Sequence, residues 1–144
     1  MGGAIYNSGQ KLTIKENSKF QTNKAKNGGA IYDYGSSGAS INIEDTNFSK
    51  NTATSNGGAI YIEGSDGKTQ INIENASFSQ NTASSGKGGA IFINNGSLTF
   101  KNGTTTFSNN TANSSANDIH LETNANMDIS SGASVKLDGG ISGS

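Results

Sequence analysis

Residues 47–63, NFSKNTATSNGGAIYIE, return thirty residues later as SFSQNTASSGKGGAIFIN at residues 77–94. Both copies keep a Phe, an Asn three positions after it and a Gly-Gly-Ala-Ile run, while the residues between these positions vary. Self-similarity at a fixed period is the signature of repeat architectures, in which each unit stacks on its neighbours. The repeat therefore decides the fold.

Two short signatures and one looser block recur along the chain. FxxN begins at Phe20, Phe48, Phe78 and Phe107 (spacings of 28, 30 and 29), GGAI at Gly2, Gly28, Gly57 and Gly88 (26, 29 and 31), and an LTI/INIE/LTF block at Leu12, Ile41, Ile71 and Leu98. Each unit thus holds three short segments separated by Gly-, Ser- and Asn-rich joints of variable length, which a solenoid accommodates at its corners. The pattern predicts an all-β parallel β-helix (solenoid) of about five coils, each with three short strands.

The predicted organisation is a single β-helix segment over residues 1–144. Its repeats span approximately residues 2–27, 28–56, 57–87 and 88–115, followed by a degraded coil at 116–138. The chain starts on one GGAI and ends with GGISGS, which resembles the start of another coil, and neither end shows a cap. Because terminal coils need capping, we expect this chain to be a fragment that stacks on neighbouring coils of a longer parent.

Period-two alternation assigns the faces of the strands. In AIYIE, Ile60 lies on one face, and Ala59 and Tyr61 lie on the other. The later copy NDIHLE places Asp118 and His120 at the positions of Ala59 and Tyr61, which predicts that this second face meets solvent. Stacked coils lie about 4.8 Å apart, so equivalent residues form columns. We expect an inner Phe column and an Asn ladder at a bend: Phe20, Phe48, Phe78 and Phe107, with Asn23, Asn51, Asn81 and Asn110.

A second aromatic column is predicted on the outer face, formed by Tyr6, Tyr32, Tyr61 and Phe92. Aromatic stacking between neighbouring strands is first of all structural. Exposed aromatic strips also bind sugars and partner proteins, so these four residues are the candidate surface contact.

Several functional classes lack the residues that they require. Only 31% of residues are apolar, the net charge is -1, and the ten basic residues are all Lys without a cluster, so a nucleic-acid partner is not expected. There is no Cys, and the loop GSDGKTQ at residues 64–70 has one carboxylate, short of a calcium cage. The lone His120 is read as a solvated surface residue. We predict no metal and no cofactor.

One pair of acids is a candidate for catalysis. Glu44 and Glu74 are expected to be neighbours one coil apart, in a column that Lys15 and Lys101 flank. Polysaccharide-cleaving β-helix enzymes of the pectate-lyase-like class need clustered acids with Arg or Lys in a groove, and the chain has no Arg. We therefore predict no catalytic residues and keep this enzyme class as the alternative.

Ice binding would need regular Thr columns, which only Thr52, Thr82, Thr111 and the Thr104–Thr106 run approach.

The alternation of GGAI and FxxN, four copies of each, resembles the hallmark pair of the chlamydial polymorphic outer membrane proteins and related bacterial autotransporter passengers. It runs strictly from Gly2 to Asn110 and in degraded form to Ile141, and residues 130–144 are similar to the passages that precede autotransporter barrels. The resemblance implies a right-handed β-helical stalk, exported by type V secretion through a C-terminal outer-membrane barrel. It also implies display on the cell surface and non-enzymatic adhesion to a protein or glycan ligand on host cells or other extracellular surfaces.

Overall fold

Short parallel strands from successive coils stack into three sheets. The computed structural model describes residues 1–35 and 38–144, and within these ranges the chain is a parallel β-solenoid of about five coils without a helix. Residues 36 and 37, in the second predicted repeat, lie outside the described residues. The strands described are β1 (Ile5–Asn7), β2 (Leu12–Ile14), β3 (Lys19–Gln21), β4 (Lys24–Ala25), β5 (Ile31–Asp33), β6 (Ser40–Glu44), β7 (Asn47–Ser49), β8 (Thr52–Ala53), β9 (Ile60–Ile62), β10 (Gln70–Glu74), β11 (Ser77–Ser79), β12 (Thr82–Ala83), β13 (Ile91–Phe100), β14 (Gly103–Ser108), β15 (Thr111–Ala112), β16 (Ser115–Ala116), β17 (Ile119–Ile129), β18 (Ala133–Leu137) and β19 (Ile141–Gly143).

The predicted all-β parallel solenoid is confirmed. A long sheet holds the GGAI strands in the order β1-β5-β9-β13 and the INIE strands in the order β10-β6-β2; β13 pairs with both β9 and β10 and joins the two ladders. The Phe sheet is β3-β7-β11-β14-β18, and the Thr-Ala sheet is β4-β8-β12-β15-β16. β17 pairs with β13 and β19 and continues the long sheet.

The strand register places like residues over like residues. Phe48 pairs with Phe78, and Ile41 pairs with Ile71. The Phe rings stack with centroids 5.0, 4.8 and 4.7 Å apart and are nearly parallel, at 8°, 2° and 5°. Each buried ring removes a large apolar area from water, and so the stack forms the centre of a thin core. The inward Ile residues of the long sheet pack against it.

The predicted Asn ladder runs up one bend of the solenoid. The Nδ2 of Asn51 donates to the Oδ1 of Asn81 (3.0 Å), which also accepts the backbone N–H of Asn51 (3.0 Å). The second Nδ2 hydrogen of Asn51 goes to the carbonyl of Phe20 in the coil before (2.9 Å). Asn81 makes the same three contacts, to Asn110 and to the carbonyl of Phe48. The ladder therefore satisfies backbone groups that the bend leaves without strand partners.

The residue before each ladder Asn has a left-handed backbone. Lys50, Gln80 and Asn109 have φ values of 55°, 55° and 54°, which non-Gly residues adopt at a cost. The hydrogen bonds of the buried Asn that follows offset that cost. The FxxN signature thus marks a bend at which a residue with a strained backbone is followed directly by the hydrogen-bonded ladder Asn.

The second Gly of each GGAI run lies against the next coil. A Cβ on Gly58 would fall 1.9 Å from the carbonyl oxygen of Gly89, and one on Gly29 would fall 2.1 Å from that of Gly58. These distances are far shorter than any Cβ contact, so a side chain at either position would push two coils apart. The GGAI signature is therefore a requirement for close backbone approach.

Two details differ from the sequence-based expectations. Ala59 and Asp118 were assigned to the solvent face, yet both are fully buried, because the chain bends at these positions and turns them towards the interior. The repeat pattern also gave no sign of the hairpin in which β16 folds back antiparallel on β15 through Asn113 and Ser114, which have φ values of 48° and 64°. This tight hairpin covers the edge of the Thr-Ala sheet.

The ladder makes a direct stability prediction. Asn81→Ala removes the acceptor of Asn51 and the donor to Phe48, so we expect the free energy of unfolding to fall by about 3 kcal/mol or more. Asn72→Ala is the matched control, because Asn72 donates one side-chain hydrogen bond to Asn42 (3.0 Å) on a half-buried outer face. That variant should lose less than about 1 kcal/mol. Urea unfolding followed by circular dichroism measures both, and equal losses would contradict a special role for the ladder.

Candidate functional site

The outer aromatic residues form one continuous stack, called here the aromatic column. The ring centroids of Tyr6, Tyr32, Tyr61 and Phe92 are 5.6, 5.1 and 5.0 Å apart in turn, with interplanar angles of 11°, 7° and 2°. The ring of His120 continues it, 5.3 Å from Phe92 and inclined by 14°. The four predicted residues are thus brought together, and a fifth ring joins them.

Exposure changes steeply along the aromatic column. Tyr6 is 50% exposed, whereas Tyr61 is 7% and Phe92 is 3% exposed. The inner rings are covered because each is stacked on both of its faces. A partner can therefore reach ring surface at Tyr6 and at half-buried Tyr32, and much less of it at the other two residues. Their role as a surface contact stays a prediction.

The carboxylate of Glu63 lies beside the phenol groups of the aromatic column. The Oη of Tyr32 donates a hydrogen bond to the Oε2 of Glu63 at 3.0 Å. Burial, together with Glu63, raises the pKa of Tyr32 to about 12 and raises that of Tyr61 as well. Both phenols are therefore neutral hydrogen-bond donors at physiological pH.

His120 is buried, so the prediction of a solvated surface residue is wrong. Its side chain is 3% exposed because Phe92 covers one face of the ring and polar side chains surround its edge. Nδ1 lies 2.7 Å from the Oγ of Ser142, and Nε2 lies 3.2 Å from the Oγ of Ser144 and 3.3 Å from the Oε1 of Glu122. Lys87 forms an ion pair with the same Glu122 oxygen at 3.1 Å. Sequence spacing gave no sign of this cluster, because its members come from three separate coils.

The candidate acid pair for catalysis lies in the expected arrangement. Glu44 and Glu74 are register partners in β6 and β10. Lys15 and Lys101 follow the adjoining strands, but in the described part of the chain neither forms an ion pair with these acids. Both carboxylates lie on an outer face, with Glu44 exposed and Glu74 half-buried. No Arg is present to complete a lyase-type site.

A buried polar group was missed by the sequence analysis. Asp33 points into the core, where its Oδ1 accepts a hydrogen bond of 2.5 Å from Asn7. Its Oδ2 and the hydroxyl of Thr69 are buried without hydrogen-bond partners among residues 1–35 and 38–144, and burial raises the pKa of Asp33. The signal was available: Asn7 and Asp33 occupy the register position that Ile62 holds in the next coil.

The concave parts of the described surface carry few charged or reactive side chains. A recess of about 570 Å³ beside the 64–70 loop is lined, among the described residues, by Lys68 and by Gly, Ala, Ser and Gln neighbours. In that loop the carboxylate of Asp66 accepts the backbone N–H of Lys68 (3.1 Å), which is a turn contact. Residues 1–35 and 38–144 contain no group of three or more potential metal-ligating His, Cys, Asp or Glu side chains. Nor do they contain a helix of the length and apolar character that a membrane crossing requires.

The His120 cluster predicts a pH dependence of stability. Burial, then Lys87, lowers the pKa of His120 below 6.5, although Glu122 opposes this shift. The folded state therefore binds fewer protons than the unfolded state, so stability is complete above about pH 6.5 and falls as pH drops through the lowered pKa. The slope is at most about 1.4 kcal/mol per pH unit. His120→Phe keeps a stackable ring without titrating.

We expect the urea midpoint of the wild-type chain to fall more than that of His120→Phe between pH 7.5 and 5.5. Parallel curves for the two proteins over this range would show that His120 does not titrate differently in the folded and unfolded states.

The comparison with protein families fits the geometry of the coils. The model of the Chlamydia polymorphic membrane protein repeat matches residues 12–33, 45–63 and 75–94. Each match contains one FxxN bend with its ladder Asn and the GGAI corner that follows it. No curated protein and no solved structure matches the chain significantly. Three stretches of the chain therefore match the repeat of the Chlamydia polymorphic membrane protein family, as the FxxN and GGAI signatures predicted.

Proposed function

We propose that this chain is a stalk segment of a bacterial autotransporter passenger, displayed at the cell surface, which binds host or other surfaces without chemical turnover. A β-solenoid built from polymorphic membrane protein repeats fits such a passenger, and the repeat family suggests a membrane or surface location. In the parent protein, neighbouring coils and a C-terminal outer-membrane barrel would be its structural partners.

The observation that carries this proposal is the coil-by-coil repetition of outward side chains. Tyr6 and Tyr32, Asn42 and Asn72, and Ser49 and Ser79 lie one above the other in register. A partner that recognises one outward residue therefore meets an equivalent one about 4.8 Å further along. Weak contacts repeated on a stiff support add up when the ligand can engage several of them together.

Within this surface of the isolated segment, Tyr6 and Tyr32 are the residues best placed for contact. Tyr6 offers half of its side chain to solvent, and the hydrogen bond to Glu63 holds the ring of Tyr32 in place. Rigid aromatic side chains with a polar tip are common binding hot spots, because they lose little conformational entropy. The alternative is a pectate-lyase-like, polysaccharide-acting enzyme, which the neighbouring carboxylates of Glu44 and Glu74 favour.

Substitution of Tyr6 tests the adhesive role. Tyr6→Ser should weaken binding to cultured epithelial cells, or to a responding spot on a glycan and extracellular-matrix array, by about tenfold. Tyr34→Ser is the matched control, because Tyr34 is 49% exposed but lies outside the aromatic column. Circular dichroism and the urea midpoint confirm that both variants fold. Equal binding by the two variants would contradict contact through this column.

The same array separates binding from catalysis. Retained, intact glycan is the expected result for a non-enzymatic adhesin. Shortened sugar products would instead establish the enzyme, and their loss in Glu44→Gln with retained fold would place the chemistry at the acid pair.

A further inference from the structure

We propose that Tyr6 and Tyr32 are an oxidative cross-linking site, at which the two phenol rings couple to dityrosine and join the first two coils covalently. The two residues are register partners in β1 and β5. Their ring centroids are 5.6 Å apart and their planes differ by 11°. The two phenol rings are thus direct neighbours in the aromatic column, which is the juxtaposition that radical coupling requires.

The hydrogen bond to Glu63 supplies the proton acceptor. A neutral phenol that loses an electron becomes strongly acidic, so the proton must leave at the same time. The Oη of Tyr32 already donates to the Oε2 of Glu63 at 3.0 Å, and the carboxylate can receive that proton without rearrangement. The phenol of half-exposed Tyr6 can release its proton to water.

The coupling step needs an oxidant that accepts two electrons. Each phenol loses one electron and one proton, and the two phenoxyl radicals join through their ortho carbons. The hydrogen on each joined carbon then moves to the phenolic oxygen, which restores both aromatic rings. Hydrogen peroxide, acting through a haem peroxidase, takes up the two electrons and two protons and yields two molecules of water. The protein product carries one new carbon–carbon bond and two fewer hydrogens.

Position and exposure select this pair among the four tyrosines. Tyr32 and Tyr61 are also stacked, at 5.1 Å and 7°, but Tyr61 is buried, whereas Tyr32 is half-buried, and so Tyr61 is less accessible to an oxidant. Tyr34 is exposed but has no stacked ring partner among the described aromatic contacts. Tyr6 combines access to solvent with a stacked phenol. A bond from it to Tyr32 would close a loop between residues 26 positions apart.

The test treats dilute wild-type chain with a haem peroxidase and hydrogen peroxide. Monomer isolated by size exclusion should show dityrosine fluorescence and a mass lower by two hydrogens. Trypsin cleavage after Lys11, Lys26 and Lys50 should release residues 1–11 linked to residues 27–50. Tyr6→Phe should abolish this monomeric product while retaining the stacked ring, and Tyr34→Phe should form it normally.

Three outcomes would overturn the proposal: dityrosine only in covalent dimers, a linked peptide that persists in Tyr6→Phe, or loss of the product in Tyr34→Phe. Glu63→Gln keeps a hydrogen-bonding side chain but removes the base, and it should slow coupling several-fold at unchanged fold. An unchanged rate in that variant would overturn the assignment of Glu63 as proton acceptor.

Discussion

The stacking of Asn side chains at the FxxN bend is the interaction on which the solenoid depends. The backbone must turn there through a left-handed residue, and the turn removes backbone groups from the strand ladders. Asn51 and Asn81 compensate with contacts to the coil before and the coil after, and both side chains are fully buried. Because each Asn–Asn contact requires an Asn at the same position one coil away, this bend favours one register of the stack, and the Phe rings beside it share that register.

This register explains how a chain poor in apolar residues forms a stable core. Inward positions of the strands carry Ile and Phe, and these few side chains meet their own kind in neighbouring coils. Asn, Ser, Thr and Gly dominate elsewhere because bends need amides and small residues, and outer faces need groups that water can solvate. A composition that would suggest disorder in an aperiodic chain is here the consequence of placing many corners in few residues.

The parts of the fold that obey the period could be predicted from sequence. Spacing alone located the Phe column, the Asn ladder and the aromatic column, since each requires one residue type at one phase of the repeat. The positions that break the period were harder. Alternation predicted exposed positions for Ala59 and Asp118, but alternation holds only within a straight strand and both residues lie at a bend. His120 was misassigned because its burial comes from Ser142 and Glu122, which spacing cannot bring together. Asp33 is a single exception inside an apolar column, and only its register reveals it.

The hydrogen bonds of the Asn ladder have a direction, and the C-terminal end of the ladder meets an acceptor that suits this direction. Asn23, Asn51 and Asn81 each donate one Nδ2 hydrogen to the Oδ1 of the Asn in the next coil, so this series of side-chain hydrogen bonds runs in one direction towards the C-terminal coil. There the side chain of Asn110 donates to the carboxylate of Asp118 at 2.9 Å, whereas the three earlier amides donate to the amide oxygen of the next Asn. The other oxygen of Asp118 accepts the backbone N–H groups of Gly139 and Gly140. The series of aligned hydrogen bonds thus ends at a carboxylate. A cationic side chain at position 118 would oppose the direction of the whole series.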